Sequence, residues 1–209
     1  MEFEVILASA SPRRRELLEQ AGVVFRVHAV DADESLDADD LAQPAEAVKK
    51  LAERKAHAAV EQLLGGGYVG NMIVIGSDTM VALGSEVFGK PADRDQAERM
   101  LRTLSGRTHQ VHTGVSVWLV SAPADEDISL GFRSFTDTSD VTFRAIGEDE
   151  LAAYLATDEP YDKAGAYAIQ GTAGAFVERV DGAIDTVIGL PVERLLREFP
   201  DISSKPGPR

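Results

Sequence analysis

The sequence predicts an α/β protein built as a single globular unit. Three observations carry that expectation. Short β-prone apolar runs alternate with segments of helical period, punctuated by serine, aspartate, proline and glycine. Of the 209 residues, 44% are hydrophobic, enough for one full core or for two lobes sharing a sheet. No internal repeat and no long linker divides the chain.

Phe3 to Leu7 reads as a short buried strand. Ser11-Pro12 then starts a helix, with serine at the cap and proline at the first helical position, and Gly22 ends it. The acidic stretch from Asp31 to Asp40 reads as loop. A long helix follows from about Pro44 to Leu64, stopped by Gly65-Gly66-Gly67. Met72 to Leu83 reads as a buried strand interrupted at Gly76-Ser77-Asp78, and Gly84-Ser85 turns it as a hairpin into Glu86 to Pro91. Asp93 caps a helix ending near Leu104. His109 to Val120 is a strand, Ala122 to Gly131 a polar loop, Asp140 to Ile146 a strand, and Glu148 to Ala156 a helix. The glycine- and alanine-rich stretch from Tyr161 to Pro191 predicts closely packed backbone, and an amphipathic helix covers Val192 to Phe199. The globular unit spans 1–200, with 201–209 expected as a disordered tail.

Charge and composition exclude several functions. Lysine and arginine total 21 against 35 aspartates and glutamates, a formal net charge of −14, which repels nucleic acid and anionic membrane surfaces. The absence of cysteine rules out disulfides, thiolate metal sites and cysteine nucleophiles. The apolar run from Val5 to Ala10 is too short for a signal peptide and no stretch is long enough to span a bilayer, so a cytoplasmic protein is expected.

Against that acidic background, the arginines at 13, 14 and 15 stand at the positive end of a helix dipole, where each costs roughly 0.3–1 kcal/mol. Free N–H groups at a helix start, a serine-rich lead-in and guanidiniums make an anion site suited to phosphate. A solvated basic turn, with Arg14 or Arg15 paired to Glu19, explains the stretch equally well. Lys55 falls on the apolar stripe of Val48 and Leu51; taken alone it reads as a snorkelling lysine. Lys90 follows the hairpin. Asp78 lies in a half-buried strand, where a carboxylate needs a partner, and is a candidate general base or a structural aspartate. Glu34 is a candidate metal or ribose ligand in an acidic loop. His109 and His112 point to opposite faces of one strand and cannot share a metal. The common phosphate-binding glycine loops are missing. Cations, carboxylates and a divalent metal together suit hydrolysis of a phosphate ester or anhydride, with substrate arriving as a metal complex.

"LASASPRRREL", "GSDTMV", "GKP", "LSGRTHQVHTGV", "EPYDKAGAYAIQG" and "IGLP" occur in order from Val5 to about Leu196, and in this the chain resembles the Maf family of nucleoside triphosphate pyrophosphatases. The resemblance implies a mixed elongated sheet with flanking helices, in two lobes around a cleft, similar to the inosine triphosphate pyrophosphatases. It implies hydrolysis of a nucleoside triphosphate to the monophosphate and pyrophosphate, a divalent cation (magnesium or manganese), and a homodimer. By position, Asp78 matches the proton acceptor. Ser9, Arg13 and Arg14 match phosphate contacts, and Glu34, Lys55, Lys90, Asp162 and Lys163 match further cleft positions, with Glu34 and Asp78 as metal contacts. Arg13, Thr79 and Gln170 resemble the branch acting on dTTP and UTP, and modified pyrimidine triphosphates fall within its scope. The Gln170 amide offers a donor and an acceptor that match uracil or thymine. Ser77 stands where that branch more often has alanine, and Ala183 to Asp185 stand where bulkier residues are expected. The alternatives are a 7-methyl-GTP pyrophosphatase of the same family and a nucleotide-sensing regulator of cell division that binds without turnover.

Overall fold

The computed structural model of the chain describes residues 3–203. In chain order it contains β1 (Glu4–Leu7), α1 (Pro12–Gln20), β2 (Arg26–Val27), α2 (Ala38–Leu41), α3 (Pro44–Gly65), β3 (Gly70–Leu83), β4 (Glu86–Phe88), α4 (Arg94–Leu104), β5 (Thr108–Ala122), β6 (Ser129–Phe143), α5 (Glu148–Leu155), β7 (Val177–Asp181), α6 (Ile184–Ile188) and α7 (Val192–Glu198). Single 3-10 turns at Glu159–Asp162, Ala164–Ala166 and Thr172–Phe176 fill the glycine-rich stretch. One mixed sheet runs β2-β1-β3-β5-β6-β7, with β4 added to the far end of β3. β1 lies parallel to β2 and β3, and the remaining pairs are antiparallel.

Two features of β3 create the space for a site. The first is its edge. β1 accompanies β3 as far as the Leu7–Ile75 pair, and β4 joins it from Val81, opposite Phe88. Between those points residues 76–80 pair with β5 alone. The second is its alternation. Met72, Val74 and Met80 face α3, packing on Val60 and Leu63 at one end and Val48 and Leu51 at the other. On the opposite face Ile73 and Ile75 join Leu18 of α1 and Leu195 of α7, while Val81 joins Leu101 of α4 and Leu155 of α5. The sheet thus passes from one lobe to the other at the stretch where its edge is open.

The helix α3 lies unusually close to this sheet because two strand positions have no side chain. A Cβ on Gly76 would stand 2.4 Å from the Ala52 carbonyl oxygen, and one on Gly114 would stand 2.4 Å from that of Val48. Gly114 is the register partner of Asp78.

Several expectations are corrected. β3 continues through Gly76-Ser77-Asp78 without interruption, since β5 pairs with each of these residues. β6 begins at Ser129, so part of the expected loop and the residues after it form strand. Its Leu130 and Phe132 are exposed, and what makes this segment a strand is pairing to β5, including the Trp118–Phe132 stack with ring centroids 4.6 Å apart, and not burial. The strand ends at Phe143, short of Ile146. The acidic loop contains the start of α2, capped by the Asp37 carboxylate on Asp40 N–H. Ser11 occupies the cap of α1 without capping it; its own N–H donates to Ser9 Oγ at 3.2 Å. Residues 201–203 do not belong to a disordered tail: they form a 3-10 turn, Pro200–Ser203, whose Ile202 is buried on the α1–α7 core. The rest of that tail lies outside the described residues.

Gly114→Ala is expected to lower the unfolding free energy by roughly 1–3 kcal/mol, because its methyl overlaps the α3 backbone. Equilibrium denaturation measures this, and an unchanged midpoint would show that α3 is free to move away.

Candidate active site

The open edge of β3 forms the floor of a cleft of about 730 Å³. Its lining brings together Ser9 from the β1–α1 turn, Arg13 and Arg14 from the first turn of α1, Glu34 from the acidic loop, Lys55 from α3, Asp78 and Thr79 from β3, Lys90 after β4, and Asp162, Lys163 and Gln170 from the glycine-rich stretch. All the site residues expected from the sequence line this one cleft. Its five cations against three acids reverse the sign of a chain whose net charge is −14.

Alternation along β3 sends Asp78 and Thr79 to different partners. Asp78 faces α3, where Lys55 Nζ donates to its Oδ1 at 2.5 Å and also meets Glu34 Oε1 at 2.7 Å. The Lys55 side chain is only 14% exposed, so its ammonium does not snorkel to water as it would on an isolated amphipathic helix. Asp78 Oδ2 has no protein partner among the described residues. The hydrogen bond from Lys55 holds the Glu34 carboxyl below the ordinary glutamate range against the opposing effect of burial, with Lys55, Lys90 and Arg14 charges adding to it.

Thr79 faces the other way, towards α1. Arg14 Nη2 donates to Thr79 Oγ1 at 3.1 Å, Nη1 to Ser9 Oγ at 3.2 Å and Nε to the Gly189 carbonyl at 2.8 Å. The buried Ser77 hydroxyl donates to the same Gly189 carbonyl at 3.0 Å, which accounts for serine at this position. Burial lowers the Arg14 pKa, partly offset by the Asp78 charge. Arg13 and Lys90 form no ion pair among the described residues, whereas Arg15 is exposed and bound to Glu19 at 2.7 Å. The three adjacent arginines therefore have three different environments: cleft, strut and solvent.

The third wall is tied together by Glu159, which sequence reasoning missed. Its carboxylate accepts the Thr172 N–H at 3.0 Å, and its backbone carbonyl accepts Lys163 Nζ at 2.7 Å. A Cβ on Gly171 would stand 2.0 Å from Glu159 Oε1. The turn bearing Asp162 and Lys163 is thereby pinned to the loop bearing Gln170. Lys163 also hydrogen-bonds Asp162, the main reason the Asp162 carboxyl is held below its ordinary range. Nothing in the sequence says which glycine a glutamate meets, so no local signal could have found Glu159.

His109 and His112 do lie apart: His109 Nε2 pairs with the Tyr167 hydroxyl at 2.7 Å, and His112 Nδ1 with that of Thr138 at 2.8 Å. Burial pushes His109 down to about 4. Ile184 is exposed, and Ala183 to Asp185 lie outside the cleft lining, which takes Val187 and Ile188 from α6. Among the described residues no three histidine or acidic side chains gather as a metal cage. Glu34 and Asp78 nevertheless converge on the Lys55 ammonium through one oxygen each, and each carboxylate keeps a second hard oxygen donor. This fits magnesium, which commonly takes one or two carboxylates and completes its shell with water and substrate phosphate.

Comparison with known proteins agrees with the motif order. The pattern described as Maf-like protein matches residues 4–202. The chain belongs to the Maf-like protein family. A relative from Bacillus cereus (strain AH187), named dTTP/UTP pyrophosphatase, is 40% identical over 94% of this chain and 94% of its own. One from Lachnoclostridium phytofermentans with the same name is 41% identical over 94% and 93%. Among solved structures, the Ham1 protein of Staphylococcus aureus is similar with a TM-score of 0.40 and 15% identity, over 96% of this chain and 100% of that one. Within this Maf-like chain no helix of the described residues is long and apolar enough to cross a membrane.

Lys55→Met is expected to leave the Asp78 and Glu34 carboxylates facing each other without a cation, lowering stability by about 1–3 kcal/mol. The loss should shrink as the pH falls and Glu34 protonates. Denaturation of both proteins across that pH range measures it, and a pH-independent difference would mean that the triad is not the cause.

Proposed function

We infer that this Maf-like protein is a hydrolase, a nucleoside triphosphate pyrophosphatase that converts dTTP and UTP to the monophosphate and pyrophosphate. The observation that carries this reading is the convergence on one cleft of Arg13 and Lys90, which form no ion pair among the described residues, the Lys55-bound carboxylates and Gln170, in a chain about 40% identical to proteins named dTTP/UTP pyrophosphatase.

In the reaction we propose, Arg13, Lys90 and the two Arg14 N–H groups left over from its three protein bonds meet the phosphate oxygens and stabilise charge as the pyrophosphate leaves. Lys55 holds Asp78 by Oδ1, and Oδ2 takes the proton of a water attacking the α-phosphate. Glu34 and Asp78 would hold magnesium or manganese, which would supply charge neutralisation and polarisation of the phosphoryl group. Gln170 reads the base: its carbonyl accepts the N3–H of uracil or thymine and its amide donates to O4. The five lining cations focus a polyphosphate into the cleft of a chain whose remaining surface repels it. Ser77, the one residue pointing to the 7-methyl-GTP branch, is buried and bonded to Gly189, so no observation favours that branch.

Pyrophosphate release from a panel of nucleoside triphosphates tests the reading. Release should be greatest with dTTP and UTP, be lost on chelation of divalent metal, and fall by roughly 10²–10⁴-fold in Asp78→Asn. Wild-type rates in Asp78→Asn would remove Asp78 as the base. In Gln170→Glu the preference for dTTP over GTP should fall; an unchanged preference counts against base reading by this residue.

A further inference from the structure

The resemblance groups Thr79 with Arg13 and Gln170 as a residue of base choice, but its hydrogen bonds point elsewhere. Thr113 Oγ1 donates to the Thr186 carbonyl at 2.7 Å. A hydroxyl has one proton, so Thr113 has none left for Thr79, and in their 3.0 Å contact Thr79 is the donor. Arg14, which has only donors, gives a proton to Thr79 Oγ1. The direction of the chain is therefore determined throughout: Arg14 to Thr79, Thr79 to Thr113, Thr113 to Thr186.

Both ends of this chain are anchored. The Thr186 hydroxyl donates to Asp137 Oδ2 at 2.6 Å, and Arg194 of α7 holds Asp137 Oδ1 at 2.9 Å. Thr113 and Thr186 are fully buried. On the cleft side, Gly189 lies against both members of the first link: a Cβ there would stand 3.2 Å from Thr79 Oγ1 and 3.4 Å from Arg14 Nε. The only proton of Thr79 is directed into the protein, and one lone pair faces the guanidinium.

We propose that Thr79 is a positioning residue that acts on the substrate through Arg14, setting the guanidinium for a phosphate group, and that it donates no hydrogen bond to the base. The proposal rests on the nucleotide-binding reading of this cleft, and it deepens that reading by separating anion affinity from base preference.

The test compares Thr79→Val, nearly isosteric but without the hydroxyl, with Thr79→Ser, which keeps it. Calorimetric binding of inorganic pyrophosphate with magnesium to the intact protein reads anion affinity without a base or turnover; kcat and KM for dTTP and GTP read base preference. Thr79→Val should weaken pyrophosphate binding by about tenfold, the effect of one lost hydrogen bond to a charged group. It should raise KM for both nucleotides alike, leave their kcat/KM ratio within about twofold, and be rescued by Thr79→Ser. Unchanged pyrophosphate affinity in Thr79→Val, a shifted dTTP/GTP ratio, or failure of rescue by serine would each overturn the proposal. A wild type that binds pyrophosphate but hydrolyses no nucleotide would reject the enzymatic reading while leaving the binding comparison to decide the role of Thr79.

Discussion

The cleft depends on one close contact, the seating of α3 directly on the backbone of β3 and β5 at Gly76 and Gly114. A lysine side chain is long but not rigid, and its ammonium reaches Asp78 and Glu34 together only because the helix carrying it stands so near the strand. Side chains at 76 and 114 would push the helix outward and widen the gap that Lys55 bridges. A partly buried carboxylate without a cation is costly. Seating the helix and accommodating Asp78 are thus one structural problem with one solution.

The second constraint is the place where β3 lacks a neighbour. β1 leaves it at Ile75 and β4 meets it at Val81, and the two lobe cores change over in the same interval. Backbone left open there would be a liability at a sheet edge in solvent. Here it is the floor of a cleft walled by the β1–α1 turn, the acidic loop and the glycine-rich stretch. Pleat alternation then divides two consecutive residues between functions. Asp78 belongs to the acid–lysine cluster on the α3 face, and Thr79 to the arginine strut on the α1 face. The Gly189 carbonyl, accepting from both Arg14 and Ser77, joins the strut to α6 and α7.

Much of this was legible along the chain. The helix α3 and the hairpin at Gly84 announce themselves by apolar period and glycine, and Asp93 caps α4 through Gln96 N–H. Most of the candidate site residues were legible as a set because four of the six ordered motifs carry them, whereas Glu34 and Lys55 lie outside every motif. The beginning of β6 was not, because it is held by β5 on one side and carries exposed Leu130 and Phe132, so burial leaves no pattern to read. Lys55 was misleading for a similar reason: a lysine on an apolar stripe looks the same whether water or a carboxylate lies beyond it. Glu159 was silent, since its partners lie on the far side of the Lys163 turn.

What the sequence by itself determined is the inventory: which residues carry charge, which segments bury a face, which glycines can turn or accept close backbone, and the motif order that marks a Maf-like chain. These follow from local chemistry and need no neighbour distant in sequence. Only the tertiary structure decided what each of the three consecutive arginines binds. Arg13 opens to the cleft, Arg14 is bound by Ser9, Thr79 and Gly189, and Arg15 pairs with Glu19 in solvent. Their sequence context is nearly identical. The direction a helical side chain takes and the acceptors that await it are set by elements up to 175 residues away, as in the bond from Arg14 to Gly189.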